Sequence, residues 1–226
     1  MERKIITTAD GSKTIQLLDL NEQYHSIHGA LQESKHVYIE QGLKHFYTLC
    51  KSIKPISVLE IGFGTGLNAM ATLDELKKSA LQINYVGVEA YPVSVEEVNE
   101  LNYGSQFTFE NSGQLFQDLH QVSWEELHEI SPGFTLVKQQ KFFSKITDIN
   151  TFHVIYFDAF GPRIQPELWT EDIFIIMYDA LAENGILVTY SAKGSVRRAM
   201  QAVGFVVERI PGPPGKREML RAWKEV

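Results

Sequence analysis

The feature that most constrains this 226-residue chain is a short apolar run, Ser57-Val-Leu-Glu-Ile61, that passes without a spacer into Gly62-Phe-Gly-Thr-Gly66. Directly after it, apolar residues fall at Leu67, Met70, Ala71, Leu73 and Leu76, the spacing of one helix face running to Lys78. Strand, glycine turn and helix in that order form the front half of a parallel β-α-β unit. The glycines allow a tight turn and close approach of a ligand to the backbone, and the helix start offers unpaired N–H groups. A second run, Gln82 to Glu89, ends on an acid 23 residues after Gly66, where a carboxylate can accept both ribose hydroxyls of an adenosine. A tight turn with no ligand is the plainer alternative. The strand, helix and acid around the loop argue for a nucleoside site.

The spacing also separates two cofactor classes. The dinucleotide fingerprint is G-x-G-x-x-G, and its third glycine slot is Leu67 here, so the loop reads G-x-G-x-G with Gly62, Gly64 and Gly66. Glu60 stands two residues before the loop. A carboxylate there would repel a pyrophosphate and suits a cofactor with a cationic ammonium and sulfonium, which favours S-adenosylmethionine over NAD. The alternative for Glu60 is a surface glutamate at a strand end.

The rest of the chain alternates in the same way. Helical spacing is expected over 36–52, 114–130, 170–182 and 195–202, and Pro92 can open a further helix. Strands are expected at 134–138, 152–157, 186–190, 205–210 and 219–223. Phe152 to Phe157 is near-continuously apolar, as in a parallel sheet buried on both faces. The last two strands have only the Pro211 to Met219 connection between them, too short for a parallel crossover, so they should be antiparallel. An open parallel sheet with a late reversed hairpin is the layout of the class I, Rossmann-like, S-adenosylmethionine-dependent methyltransferases. Residues 1–35 are polar and weakly periodic, and read as a small N-terminal arm (hairpin or irregular) packing on a main α/β domain at 36–226.

The strand ending at Phe157 delivers Asp158-Ala-Phe-Gly-Pro162 to the carboxyl edge of the sheet, where open α/β folds bind ligands. An acid followed by an aromatic and a proline suits methylation of a nitrogen. Asp158 can orient an amine and take its proton, and Phe160, backed by Pro162, can stack on a base. A primary alkylamine resembles lysine, with a pKa near ~10, and must lose a proton before its lone pair can attack. The plainer alternative is an Asp capping a turn, with Phe160 in the core. Trp169 and Phe174 read as core.

Composition excludes several classes. There is one cysteine, Cys50, hence no internal disulfide or multi-Cys zinc site. His25, His28 and His36 have no acid or Cys at ligand spacing, so no metal is expected. Ser191 and Ser195 lack a nucleophile-elbow context. No apolar run is long enough for a membrane span and the N-terminus has no signal-like core, so the expected location is cytoplasmic. The net charge of −7 conceals an asymmetry: residues 191–226 carry eight Lys/Arg against three acids, a net +5 on a body of −12. Lys216 and Arg217 on the Gly212-Pro-Pro-Gly hairpin loop, with Lys193, Arg197 and Arg198 on a neighbouring helix, could form a phosphate-facing patch. Solvated charges on a stiff turn would look the same.

Four stretches together resemble one family: Tyr24-His-Ser-Ile-His-Gly-Ala30 through Glu33-Ser34; Glu60-Ile-Gly-Phe-Gly-Thr-Gly-Leu-Asn68; Asp158-Ala-Phe-Gly-Pro with Pro166-Glu-Leu-Trp-Thr170; and Val196-Arg-Arg198 with Gly212 to Met219. The family is the MnmC-type tRNA (5-methylaminomethyl-2-thiouridine) methyltransferases, in their methyltransferase half without the FAD oxidase domain. The resemblance implies transfer of a methyl group from S-adenosylmethionine to the 5-aminomethyl nitrogen of a wobble (2-thio)uridine in tRNA. It implies Asp158 as the catalytic acid/base and cofactor contact. It further implies cofactor contacts from Tyr24, Glu60, the three glycines, Asn68 and Glu89, with the 24–34 arm closing over the cofactor, and tRNA as partner for the basic C-terminal segment. The amine would come from another, upstream enzyme. Where members often carry a Gly-Asp pair for the adenine, this chain has Val137-Lys-Gln-Gln-Lys141, with Gln140 near that slot. Two other functions fit the same residues: methylation of a small-molecule or protein amine, and a non-catalytic S-adenosylmethionine-binding scaffold.

Overall fold

The computed structural model describes residues 2–79 and 81–225. The chain opens with a three-stranded antiparallel sheet, β1 (Arg3–Thr7), β2 (Lys13–Leu17) and β3 (Glu22–Gln23). So the polar arm is a sheet, with Gly11 in the left-handed region at its first turn. A continuous helical rod follows: α1 (Ala30–Ser34), a π-helical stretch Lys35–Lys44, and α2 (His45–Leu49). It begins earlier than the 36–52 expected and runs unbroken through residues 35 and 36, so no linker separates arm from body.

The second sheet has eight strands: β4 (Ile56–Ile61), β5 (Ile83–Val88), β6 (Leu127–Ser131), β7 (Phe134–Gln139), β8 (Phe152–Phe157), β9 (Leu181–Thr189), β10 (Val206–Pro211) and β11 (Glu218–Trp223). Their order is β10-β11-β9-β8-β4-β5-β7-β6. The central strands are parallel, and β11 is antiparallel to both β9 and β10, as the short connection requires. The sheet carries α3 (Leu67–Lys78), α4 (Val95–Leu101), α5 (Ser112–Gln121), α6 (Glu171–Ala180) and α7 (Gly194–Ala202).

Both faces of the sheet are covered, which explains the unbroken apolar runs. In β4, Val58 belongs to the core under the long rod and α3, while Leu59 and Ile61 belong to the opposite core with Phe174 of α6 and Met200 of α7. Gly42 lets the π-helical stretch press on the sheet: a Cβ there would lie 3.0 Å from Val188.

Two expected elements differ. The helix foreseen over 114–130 stops at Gln121, and Leu127–Ser131 forms β6 instead. Ser131 pairs with Phe134 across Pro132-Gly133, with Gly133 at φ +82°, so a proline–glycine turn makes a hairpin that wins over the weak helical spacing. Pro92 does not open α4. Ser94 caps it, accepting from the Glu97 N–H at 3.2 Å while the Glu97 carboxylate accepts from the Ser94 N–H at 2.8 Å.

Candidate active site

The carboxyl edge of β4, β5 and β8 opens on a cavity of about 1140 Å³. Gly62, Gly64 and Gly66 all have positive φ (+88°, +48° and +72°). At Gly62 the need for glycine is also steric, because a Cβ would lie 2.8 Å from the Asp158 carbonyl oxygen. The Glu89 carboxylate bridges the loop to the next segment, accepting from the Gly64 N–H at 3.0 Å and the Tyr91 N–H at 2.9 Å. Gly62, Gly64, Glu89 and Asp158 all line the cavity.

Asp158 is anchored by its main chain, whose N–H donates to the Ile61 carbonyl at 2.9 Å. Its Oδ2 accepts from Asn68 Nδ2 at 2.8 Å. The same Nδ2 donates to Glu60 Oε1 at 2.8 Å, and Asn68 Oδ1 accepts from the Ser34 hydroxyl at 2.6 Å. Asn68 is 1% exposed, and its orientation is set by these three bonds. Burial pushes the Asp158 carboxyl up to about 7; the nearby Glu33 charge adds to the rise, while Tyr38, Asn68 and Lys216 oppose it.

Glu60 corrects one expectation. It is 1% exposed and lies beneath the loop, outside the cavity lining, because the strand's alternation turns it with Val58 toward α3. Its other oxygen accepts from the Tyr85 hydroxyl at 2.8 Å, so both oxygens are occupied by protein donors. Burial lifts its carboxyl well above the usual range. It supports Asn68 from below and lies buried outside the cavity lining.

The arm forms one wall. Tyr24 lines the cavity edge-on to Phe160 (ring centroids 5.0 Å apart), and a Cβ on Gly64 would sit 3.3 Å from its ring. Buried His25 places Nε2 2.7 Å from the Thr65 hydroxyl, tying the arm to the glycine loop. His36 Nε2 lies 2.9 Å from the Pro211 carbonyl oxygen, and His28 packs against Gly215. No cluster of three His, Cys, Asp or Glu side chains suited to a metal occurs among the described residues.

The hairpin loop closes the cavity from the opposite end of the sequence. Lys216 is not an outward-facing tip residue. It lines the cavity, bonds Glu33 Oε1 at 2.6 Å and lies 3.8 Å from the centre of the Tyr190 ring. Other basic residues of the segment are also engaged internally: Arg209 with Glu218, Arg221 with Glu208, and Lys224 with Asn150 and two carbonyls. Lys193, Arg198 and Arg217 are exposed, and Arg197 is half-buried, its Nε buried without a partner among the described residues. None of these four lines the cavity.

Phe160 lines the cavity and Pro162 does not. The loop holding them is fixed by Trp169 Nε1 donating to the Phe160 carbonyl and the Tyr190 hydroxyl donating to the Ala159 carbonyl, each at 2.8 Å. Gln140 is exposed and outside the lining, with its N–H held by Glu125 at 2.7 Å. Phe142, Phe143 and Ser144 line the cavity there instead, beside Tyr91. Sequence reasoning missed Glu33 and Tyr190 as wall residues. Tyr190 was detectable as the residue just past a parallel strand's carboxyl end; Glu33 lay within the 24–34 arm that the resemblance closes over the cofactor, but nothing singled out its side chain.

An open sheet with this strand order, a glycine turn answered by an acid on the next strand, and a carboxylate at the end of β8 are the layout of the class I S-adenosylmethionine-dependent methyltransferase fold. A family described as S-adenosyl-L-methionine-dependent methyltransferase (Methyltransf_30) matches residues 126–225. More particularly, the chain is similar to the tRNA 5-methylaminomethyl-2-thiouridine biosynthesis bifunctional protein MnmC. It is 25% identical to that of Pseudomonas savastanoi pv. phaseolicola over 92% of this chain and 33% of that protein. It is 27% identical to that of Hydrogenovibrio crunogenus over 96% of this chain and 33% of that protein. The chain thus spans about a third of these curated relatives. Among solved structures, MnmC2 from Aquifex aeolicus superposes with a TM-score of 0.76 at 26% identity, covering 98% of this chain and 70% of that one. Spermidine synthase from Thermotoga maritima shares the fold alone, with a TM-score of 0.58 at 15% identity over 97% of this chain and 67% of that one.

The residues present fit S-adenosylmethionine. Gly62 and Gly64, both at positive φ, leave the backbone open to a ligand at the loop, and Glu89, also in the lining, keeps lone pairs beyond the two it gives to N–H groups.

Proposed function

We propose that this chain methylates the 5-aminomethyl nitrogen of wobble (2-thio)uridine in tRNA, using S-adenosylmethionine. The observation that carries the reading is Asp158: a carboxylate on the cavity wall, fixed by Asn68 and pushed by burial to about 7. A carboxylate at that value can accept a proton near neutral pH, which an ordinary aspartate does poorly. In this reading Glu89 takes the ribose hydroxyls, and Gly62 and Gly64 form the floor under the cofactor, while Gly66, outside the lining and packed against His120, turns the chain into α3. Tyr24, with Asn68 behind Asp158, closes the cofactor's methionine end. The cofactor supplies a methyl carbon on a cationic sulfonium. Asp158 orients the amine, removes its proton and stabilises the positive charge that develops on nitrogen. Phe160, backed by Pro162, stacks on the base. Lys193, Arg197 and Arg217 meet tRNA phosphates, while Lys216 acts inside the cavity mouth. The amine must already be in place, so a separate activity supplies it. No helix among the described residues is long and apolar enough to cross a membrane.

The internal pairing of Arg209, Arg221 and Lys224 leaves a smaller basic surface than composition suggests, and this favours a second reading in which the amine belongs to a small molecule or protein. Incubating the purified chain with labelled cofactor and tRNA bearing 5-aminomethyluridine separates the two. Label recovered in the wobble nucleoside by mass spectrometry supports tRNA; none, with small amines labelled instead, supports the second reading. Asp158→Asn should lower turnover by about 10²–10⁴-fold while cofactor affinity changes little.

A further inference from the structure

Tyr38 lies in the π-helical stretch of the long rod and is 1% exposed, its ring 5.2 Å from that of Tyr156. Its hydroxyl is buried and has no hydrogen-bond partner among the described residues. A buried phenol with an unused donor is costly, on the order of 1–3 kcal/mol, and such a group persists where a partner is completed in another state. Four residues earlier on the same rod, Ser34 bonds Asn68, the amide that holds Asp158, so the Tyr38 hydroxyl one turn on lies beside that carboxylate without yet bonding it. Asp158 gives Oδ2 to Asn68, and its Oδ1 accepts no bond from any described residue. A π-helical turn is itself a common mark of a functional position, since it re-aims side chains that regular winding would send elsewhere.

We propose that the Tyr38 hydroxyl is the second donor to Asp158, a positioning residue that closes on Oδ1 and holds the carboxylate oriented and ionised for the incoming amine. This rests on the reading of Asp158 as the proton acceptor. Burial drives the Tyr38 phenol well above its usual pKa, so it stays a donor throughout the working range. The other groups facing the pair are Glu33 from α1, Glu60 from β4, Tyr85 from β5, Tyr103 after α4, Tyr190 after β9 and Lys216 from the hairpin loop. Glu33 opposes ionisation of Asp158. Lys216 favours it, but is itself engaged by Glu33. Asn68 and Tyr38 are therefore the donors available to steady the charged form.

Tyr38→Phe keeps the ring against Tyr156 and removes only the hydroxyl. Carbon-13 NMR of aspartate carboxyls, with the Asp158 resonance identified by its loss in Asp158→Asn, reads the titration without any methyl transfer. The midpoint should rise by about one pH unit in Tyr38→Phe. An unmoved midpoint in the folded variant overturns the proposal. Should the variant fail to fold, 3-fluorotyrosine at position 38, a stronger donor of nearly the same shape, should lower the midpoint, and no change would overturn the proposal equally. A shifted midpoint in a protein that does not methylate tRNA would support the Tyr38 contact and sink the substrate reading. An unmoved midpoint in an active enzyme would do the reverse.

Discussion

Asn68 holds Asp158 by one side-chain N–H···O bond of 2.8 Å, and spends its other amide hydrogen on Glu60 at the same distance. One amide therefore separates two buried carboxylates that would otherwise repel, and each carboxylate fixes how Asn68 presents itself to the other. The arrangement explains why a glutamate two residues before the glycine loop can matter without touching a ligand.

Asn68→Ala removes a donor from both carboxylates at once. Thermal or urea unfolding should show a loss of roughly 1–3 kcal/mol, the cost of buried acceptors left short of a partner. Turnover should fall at least tenfold at pH 7, because Asp158 loses both orientation and a contact that favours its ionised form. Asn68→Asp should be worse in both measurements, since it adds a third carboxyl to the same site. Wild-type kinetics in Asn68→Ala would show that the bridge is ornamental.

The rate should follow the ionised form of Asp158. Its pKa is raised from 3.8 to about 7, so kcat/KM should climb with pH through that value and level off above it, until other groups titrate. In Asp158→Asn the residual rate should lack this limb. A profile already flat from pH 5.5 to 8 would remove Asp158 as the acceptor.

His25 is depressed from 6.5 to about 4, chiefly by burial. The unfolded chain therefore binds a proton that the folded one resists between these values, so His25 contributes stability above pH 6.5 that is lost as pH falls toward 4. His25→Phe, which fills much of the same space, should lose less stability over that window than the wild type in parallel unfolding titrations. Thr65→Val should weaken cofactor binding several-fold by isothermal calorimetry at pH 7.5, because the arm loses its bond to the glycine loop.

Lys216 and Arg217 are adjacent but should behave differently. Arg217 is exposed, so Arg217→Ala should weaken tRNA binding modestly and reduce the salt dependence by about one phosphate contact. Lys216 is tied to Glu33 across the cavity mouth, so Lys216→Ala should lower kcat/KM for tRNA with little change in the salt slope. Equal effects on the salt slope would mean that Lys216 leaves Glu33 for a phosphate in the complex.

Local chemistry makes much of this protein readable in the order of its residues. The apolar runs at Ile56–Ile61 and Phe152–Phe157, the glycine turn and the late antiparallel pair are short-range patterns, and each of these strands sits within a residue or two of its expected bounds. The same local logic extends to the cavity-lining positions Glu89, Asp158 and Phe160, since ligand groups collect where parallel strands end. It failed where a competing local signal was stronger, as at Pro132-Gly133, which turned a foreseen helix into the β6–β7 hairpin. Contacts between distant segments could not be read at all. Lys216 meets Glu33 across 183 positions, and Asn68 meets Asp158 across 90. Whether Glu60 faces a ligand or a buried amide depends on which side of β4 is covered by α3, and Tyr38 comes to lie beside Asp158 only when the rod packs across the sheet. Side-chain type and spacing settle which groups a segment offers; which of them meet, and how far burial moves their pKa values, is decided when the layers pack.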